Sequence, residues 1–534
     1  MARAWLAAVA AAAAVAAVED PGFADWFADE LRTAEGQELP VVGEIPDFVQ
    51  GTLVQAGPGR FALGGETVGH IFDGFAKVLR LRLARSGNVS SAFFSTDFVQ
   101  SGFYLESMKA GKIAPGMMAA ETAPPSRREL GPMNLMGHND NNYIKPQRVG
   151  EAELMTSDTM WLTVLRAGSP EVNYTVAPEL PGSLTDDEHW TGDLAPGSIC
   201  IQTTMAHGLH DDGGGYLTAA GCQTMNLPLM QHYHVLFKIR APDLRHRAVV
   251  ARVPVPRGRR PSYMHQNGAT GSLYVIVAPP VHMNLEKAAA GEGLAEGALD
   301  LVEGESTLLQ VVRMSDGGLV READAPGFLV GHVVNSYEDG QDIVMDMTTM
   351  SVESGGFFKR YLLRNLLNKT SRDGFGKSRI LRVILKPNGT VLHGPALPGE
   401  PQDDMELLVI NPRRAGQKHC VVWGVQFSSG GRSFASTALV KRNLCSGERL
   451  TLFEEGRYVS EHAFVPRPGA TDEDHGALVG LVFDAARGAS FAEVVDARTL
   501  RRVAEVPLGL RVPFPVHPTW LVGEAGGVEP TLLV

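Results

Sequence analysis

Short apolar runs cut by Gly, Pro, Asn and Asp recur along the chain from about Gly51 onward: "HIFDGFAKVLRLRL", "GGYLTAAG", "GSLYVIVAPP", "STLLQVVRM", "QDIVMDM", "SRILRVILK", "CVVWGVQF", "ALVGLVFDA" and "FAEVVDARTL". Runs of about four to eight residues rich in Val, Ile, Leu and aromatics, bounded by turn residues, predict strands. The 59 glycines and 33 prolines supply enough turn residues to separate them. Helical periodicity is convincing in one main place. "FFKRYLLRNLLNKT", Phe357 to Thr370, puts Tyr361, Leu362 and Leu366 on one face with Arg and Lys opposite, which predicts a helix packed on the core. Asn284 to Glu305 is rich in Ala, Gly and acids and reads as an inserted loop or weak helix. No short self-similar repeat and no linker stands out. Many strands without regularly interspersed helices predict an all-β assembly, and at 534 residues closure into a barrel or propeller is the economical way to remove exposed edges. Residues 21–534 are therefore expected to form one domain.

The N-terminus differs in kind. "MARAWLAAVAAAAAVAAVED" has an apolar stretch from Ala4 to about Val18 and small residues before a cleavage point near Ala17. Residues 1–18 thus read as a signal or targeting peptide, too short for a typical span, with an uncleaved anchor or a frayed Ala-rich helix as the alternative. The expected destination is the secretory route or an organelle such as a plastid. Sequons at Asn88, Asn173, Asn368 and Asn388 are compatible with secretion. The balance of 48 basic against 60 acidic side chains gives a formal charge of −12, which argues against a nucleic-acid partner. Cys200, Cys222, Cys420 and Cys445 are far apart in sequence, and none forms a Cys-x-x-Cys pair. Neither a disulfide-built scaffold nor a thiolate metal site is expected.

Familiar catalytic motifs are missing. No serine has glycine at both −2 and +2, "QAGPGRFALGGE" has the wrong glycine spacing for a phosphate loop, and His-Glu-x-x-His does not occur. The histidines are left. His207, His265, His332 and His517 sit at the starts or ends of apolar strands, and the first three share a grammar of histidine, polar turn, then strongly apolar strand. Separations of 58, 67 and 185 residues equal one, one and about three steps of a large repeat unit, so the four could line one axis. Neutral imidazoles suit iron, zinc or copper, and an all-histidine set with open positions keeps divalent iron able to bind dioxygen. Carboxylates behind them would fix tautomers and balance charge, with Glu406 and Glu461 in suitable places.

At this point the sequence resembles the carotenoid cleavage oxygenase family, from roughly Gly43 to the C-terminus. "GEIPDFVQGTLVQAGPGRFALGGETVGHIFDGFAKVLRL", "RPSYMHQNGAT", "HVVNSYEDG", "MELLVINPRRAGQKHCVVWGV", "EHAFVPRPGATDEDHG" and "VPFPVHPTWL" look like family landmarks in family order. The resemblance implies a seven-bladed β-propeller, a helical and loop dome over one end, and Fe(II) on the axis. It implies His207, His265, His332 and His517 as ligands, with Glu406 and Glu461 behind them. His210 competes with His207, which is preferred because it follows Ala206. Three departures stand out. Gly208 takes the usual place of a proline, Pro518 that of a glycine, and Asp158 that of a third glutamate, where the shorter side chain is expected to need a water to reach its histidine.

The resemblance further implies oxidative cleavage of a conjugated C=C bond of a carotenoid or apocarotenoid by O2, giving two carbonyl products. The partners are then an apolar polyene, O2 and peripherally a membrane surface. Ser101 to Ala120, with Met117 and Met118, would form the lip of the substrate tunnel. The alternatives are a retinoid or carotenoid isomerase or isomerohydrolase, and a catalytically silent propeller that binds an apolar ligand.

Overall fold

The computed structural model describes residues 20–522 apart from 117–118, 128, 130–139, 160, 167, 169–171, 177–189, 192–197, 201–204, 211–214, 225–230, 243 and 398–403. The leader at 1–18 and the lip residues Met117 and Met118 fall outside the described residues. Strands predominate, and they assemble as a seven-bladed β-propeller. In chain order, blades 2 to 7 occupy residues 145–176, 190–254, 268–325, 329–395, 405–452 and 457–507. Blade 1 is assembled from both ends of the chain. Ala34–Leu39, Val89–Phe98, Phe75–Ser86 and Gly51–Arg60 are joined by the C-terminal strand Val516–Leu521. Val42–Gly43 in turn pairs with Arg502–Pro507 on the outer edge of blade 7. The ring is thus closed twice, by strands from the early and late parts of the chain.

The unbroken apolar runs follow from the sandwiching of each blade between two others. In "LYVIVA", Leu273–Ala278, the side chains alternate between faces. Tyr274, Ile276 and Ala278 pack with Leu217, Leu236 and Ala251 of blade 3. Val275 and Val277 pack with Met345, Met347, Leu381 and Val383 of blade 5. Both faces are buried, so both phases of the alternation must be apolar.

Above one end, three segments knit a cap. Asp73 accepts hydrogen bonds from the Ala119 and Ala120 N–H groups at 2.7 and 3.0 Å. Glu296 accepts from the Glu121 N–H at 2.7 Å and pairs with Arg364 at 3.1 Å. The buried His70 ring bonds the Phe358 carbonyl through Nε2 at 3.0 Å, while its Nδ1 accepts from the Phe72 N–H. The His-x-Phe-Asp-Gly sequence thereby pins the cap to blade 1.

One helix expectation needs correction. The helix expected over 357–370 is three short helices, Gly356–Arg360, Leu363–Leu366 and Lys369–Asp373. The break at Tyr361 and Leu362 comes from tertiary pairing. The Ile71 N–H donates to the Tyr361 carbonyl and the Leu363 N–H to the Gly69 carbonyl, which holds Leu362 extended. The insert at 284–305 resolves into a one-turn helix, Leu285–Ala289, a π-turn, Leu294–Ala298, and a short strand, Leu299–Leu301.

No disulfide-built scaffold was expected, yet the cysteines pair as Cys200–Cys222 and Cys420–Cys445. Each bridge staples neighbouring strands of one blade. Cys200 and Cys222 are direct cross-strand partners, and Cys420 and Cys445 flank the paired strands Val421–Gln426 and Ala438–Asn443. Antiparallel pairing cancels the long sequence separations. Replacing Cys420 and Cys445 together by Ser should lower unfolding free energy by about 3.5 kcal/mol, the loop-entropy value for a cross-link of this span. Chemical denaturation of the variant, beside a thiol titration of the unmodified chain that finds no free thiol, checks both statements.

Candidate metal centre

Each blade contributes one of the seven groups of the centre, six from an innermost segment and Asp158 from the turn between Ala152–Thr156 and Leu162–Leu165 of blade 2. His517 comes from blade 1, Asp158 from blade 2, His207 from blade 3, and His265 from the stretch before Gly268–Ala269 in blade 4. His332 comes from blade 5, Glu406 from blade 6 and Glu461 from blade 7. One ring nitrogen each from His207, His332 and His517 lies within 4.8 Å of the others. His265 joins them through His332, their Nε2 atoms being 3.4 Å apart. The four imidazoles therefore converge. His210 turns away, with Nε2 3.2 Å from the Gln147 amide oxygen.

The strands are distorted where they deliver these groups. Register shifts fall between Val330 and Val333 around His332, between Glu406 and Val409, and between Val459 and His462 around Glu461. Blade 1 has one opposite Pro518 and His517, between Val54 and Ala56. A bulge adds a residue on one side of a ladder and re-aims a side chain that would otherwise face the neighbouring blade. Leu407, immediately after Glu406, takes φ 56°, a left-handed conformation rarely adopted by a branched residue. Gln266 locks two of the histidine-bearing segments together. Its amide donates to the Val333 carbonyl at 3.1 Å and accepts from the Val333 N–H at 2.9 Å.

Behind three of the imidazoles stands a carboxylate. His332 Nδ1 lies 2.7 Å from Glu406 Oε2, His517 Nδ1 2.6 Å from Glu461 Oε2, and His265 Nδ1 2.5 Å from Asp158 Oδ2. Asp158 thus reaches its histidine directly, contrary to the expectation of a bridging water. At His332 and His265 the Nδ1–H is hydrogen-bonded to the carboxylate, which leaves Nε2 as a lone-pair donor, whereas Glu461 Oε2 faces His517 as a charge contact without a hydrogen bond. Burial is the main cause holding His207 and His517 well below the ordinary imidazole value. For His207 the charges of His517, His265 and His332 add to it, and for His517 that of Lys145. Burial likewise lowers His332 although Glu406 opposes it. At His265 burial is outweighed by Asp158, which raises the imidazole. Burial acts to raise the Glu406 carboxyl, but His332 and its hydrogen bonds bring it below the ordinary value. Burial raises Glu461 against the pull of His332 and Lys145.

This donor set fits a divalent transition metal. The buried Nε2 of His207 has no hydrogen-bond partner, and an orphaned imidazole nitrogen beside three others is costly unless a cation takes its lone pair. Two glycines shape the site. At Gly331 a Cβ would stand 2.3 Å from Glu406 Oε1, so the residue before His332 must lack one. At Gly208 a Cβ would strike the Tyr216 ring at 2.1 Å, and the Gly208 N–H donates to the Tyr216 hydroxyl at 3.0 Å. A proline could do neither, which accounts for that departure from the family pattern.

A cavity of about 200 Å³ opens onto the histidines. Its walls are mainly apolar: Phe72, Phe103, Ile144, Val277, Val281, Leu294, Phe357, Phe358, Leu407, Phe514 and Val516. Tyr263, which the sequence reading did not single out, faces it two residues before His265, and its hydroxyl donates to Asp158 Oδ2 at 2.7 Å. Burial, then the charge of Asp158, pushes this phenol well above its ordinary value, so it stays a donor.

Residues 27–522 match the family described as Retinal pigment epithelial membrane protein. The chain belongs to this family. As a member it is 24% identical to the rice (Oryza sativa subsp. japonica) protein named carotenoid cleavage dioxygenase 8 homolog A, chloroplastic, over 91% of this chain and 85% of that one. It is 23% identical to the Homo sapiens protein named carotenoid-cleaving dioxygenase, mitochondrial, over 91% of this chain and 88% of the relative. Among solved structures, a variant of Synechocystis apocarotenoid oxygenase superposes with a TM-score of 0.73 at 20% identity, covering 94% of this chain and 98% of that one. A cobalt-substituted form of the Synechocystis protein gives the same score, identity and coverage. These likenesses establish the propeller fold.

Glu406→Gln should keep the fold and weaken divalent-metal affinity by about 10-fold or more, the usual loss when a partner behind a ligating imidazole is neutralised. Gly331→Ala should displace the same carboxylate by steric contact, with a similar affinity loss and an overpacking cost of about 1–3 kcal/mol. Metal titration and thermal denaturation of both variants measure the two effects separately.

Proposed function

We propose that this protein is a non-haem Fe(II) dioxygenase that cleaves a conjugated C=C bond of a carotenoid or apocarotenoid. The observation that carries this reading is an apolar cavity opening onto four converging imidazoles. Three relations support it: family membership, the dioxygenase names of the similar proteins, and the cobalt form of a structural neighbour. In the balanced reaction one C=C and one O–O bond break and two C=O bonds form, so no external reductant is consumed.

His207, His265, His332 and His517 hold the metal in this reading, each through a neutral nitrogen. Ferrous iron supplies the binding and activation of dioxygen. Asp158 and Glu406 keep the Nδ1 protons of two imidazoles in place, and together with Glu461 beside His517 they would balance the cation's charge. The side chains of the cavity do the rest. Phe72, Phe103, Phe357, Phe358 and Phe514 offer flat faces against which a polyene can lie, so one double bond is held in register with the histidines. The polar groups on the wall are already engaged: His70 with Phe358 and Phe72, Asp73 with two amides, and Asn141 with Gly74 and Ala76. The cavity therefore favours a hydrocarbon segment and disfavours water, which protects the reacting centre from hydrolytic side reactions.

The substrate enters from a membrane surface in this reading, since long polyenes dissolve there. No helix among the described residues is long and apolar enough to cross a bilayer. The apolar leader, the chloroplastic and mitochondrial names of relatives, and two disulfides support entry into an organelle or the secretory route.

Incubation of the Fe(II)-loaded enzyme with a polyene panel under ¹⁸O₂ should give two labelled carbonyl products and one O₂ consumed per cleavage. Turnover to an isomerised alcohol without O₂ uptake would favour an isomerohydrolase, and binding without turnover a silent propeller. His332→Ala should lose its metal, as measured by elemental analysis. A fully loaded, active His332→Ala enzyme would overturn the ligand assignment.

A further inference from the structure

An aspartate at position 158 is one methylene shorter than the glutamate the resemblance leads one to expect, yet its carboxylate touches His265. Three donors converge on it. Oδ1 accepts from the Ala206 N–H at 2.8 Å, while Oδ2 accepts from the Tyr263 hydroxyl at 2.7 Å and from His265 Nδ1 at 2.5 Å. All three are hydrogen bonds to carboxylate oxygens. Ala206, directly before His207, is itself held. Its carbonyl accepts from Thr156 Oγ1 at 2.8 Å and from the Gln147 amide at 3.0 Å. The Tyr263 ring is buried and meets Phe358 edge-on at 5.6 Å, so its hydroxyl has a fixed place.

We propose that Tyr263 is a positioning residue that replaces the reach lost at Asp158: its hydroxyl clamps Oδ2 so that the short carboxylate can orient the His265 imidazole. Tyr263 and His265 are two residues apart on one segment, and both turn to the same oxygen. The clamp and the clamped ring thus move together, and the Ala206 N–H ties the other oxygen to the His207 segment. Without the phenol, Oδ2 is held by His265 alone. The carboxylate can then turn about the remaining Ala206 N–H bond to Oδ1, and the imidazole follows. A glutamate at 158 would reach His265 with an extra torsion of its own and would not need the phenol. The clamp therefore belongs specifically to the aspartate.

This inference rests on the four-histidine reading above, and its test separates the two. Co(II), whose visible absorption reports its coordination, is titrated into the full chain and into Tyr263→Phe, Asp158→Glu, the double variant and His332→Ala. Tyr263→Phe should raise the cobalt Kd by about 10-fold or more. The same change in the Asp158→Glu background should cost less than about 3-fold, because the longer carboxylate makes the phenol dispensable. A Tyr263→Phe affinity equal to the unmodified chain, or an equal loss in both backgrounds, overturns the clamp. Undiminished cobalt binding by His332→Ala overturns the ligand reading instead. Should Asp158→Glu fail to fold, the cobalt spectrum of Tyr263→Phe at saturation decides: a shifted absorption supports a turned His265 ring, and an unchanged one overturns the proposal.

Discussion

The pairing of Val516–Leu521 with Gly51–Arg60 is the contact on which the rest depends. It joins the two ends of the chain in one sheet, and the same strand carries His517. Ring closure and completion of the polar centre are therefore one event. The loop-closure entropy is large, because the partners are more than 450 residues apart, and it is recovered by blade-to-blade packing. Leu53, Leu79, Leu81, Val479, Leu481 and Val494 form the core between blades 1 and 7. Without closure these apolar faces of the first and last blades would be open to water.

Once closed, the ring brings six innermost segments and the turn bearing Asp158 within reach of one axis. Four deliver imidazoles and three deliver carboxylates, so neutral nitrogen donors face inward and charge-balancing groups stand behind them. Burial does two opposite things there. It discourages protonation of His207, His332 and His517, which keeps lone pairs free, and it makes each carboxylate depend on a proton donor. The bulges at His332, Glu406 and Glu461 and the left-handed Leu407 are the local cost of aiming side chains along the axis. A regular strand would aim them at the neighbouring blades.

The cap is built on a different principle. Its helices are one or two turns long and owe little to helical propensity. They are held by buried polar pins: His70 to the Phe358 carbonyl, Asp73 to two amides, and Glu296 to Glu121 and Arg364. Because these polar groups satisfy each other, the aromatic side chains between them are free to form an apolar wall. That wall gives the cavity its chemical character.

Much of this was legible from residue order. Apolar runs bounded by Gly, Pro, Asn and Asp carry the strand assignment because strand formation there depends on local pattern and burial of both faces. The common grammar around His207, His265 and His332, with the blade-sized separations, pointed to one axis, and the structure brings the four rings together. Other features had no local signal. The helix over 357–370 breaks because the 69–71 segment pairs with its backbone. Cys200 and Cys420 find partners because hairpins fold distant positions together. Asp158 reaches His265 because the Ala206 N–H and Tyr263 hydroxyl draw it into place. Strand positions and the similar surroundings of the histidines are properties of neighbours along the chain, and so are readable from residue order. Which carboxylate meets which imidazole, where a strand bulges and what lines the cavity depend instead on groups from different blades meeting at one axis, which residue order does not encode locally.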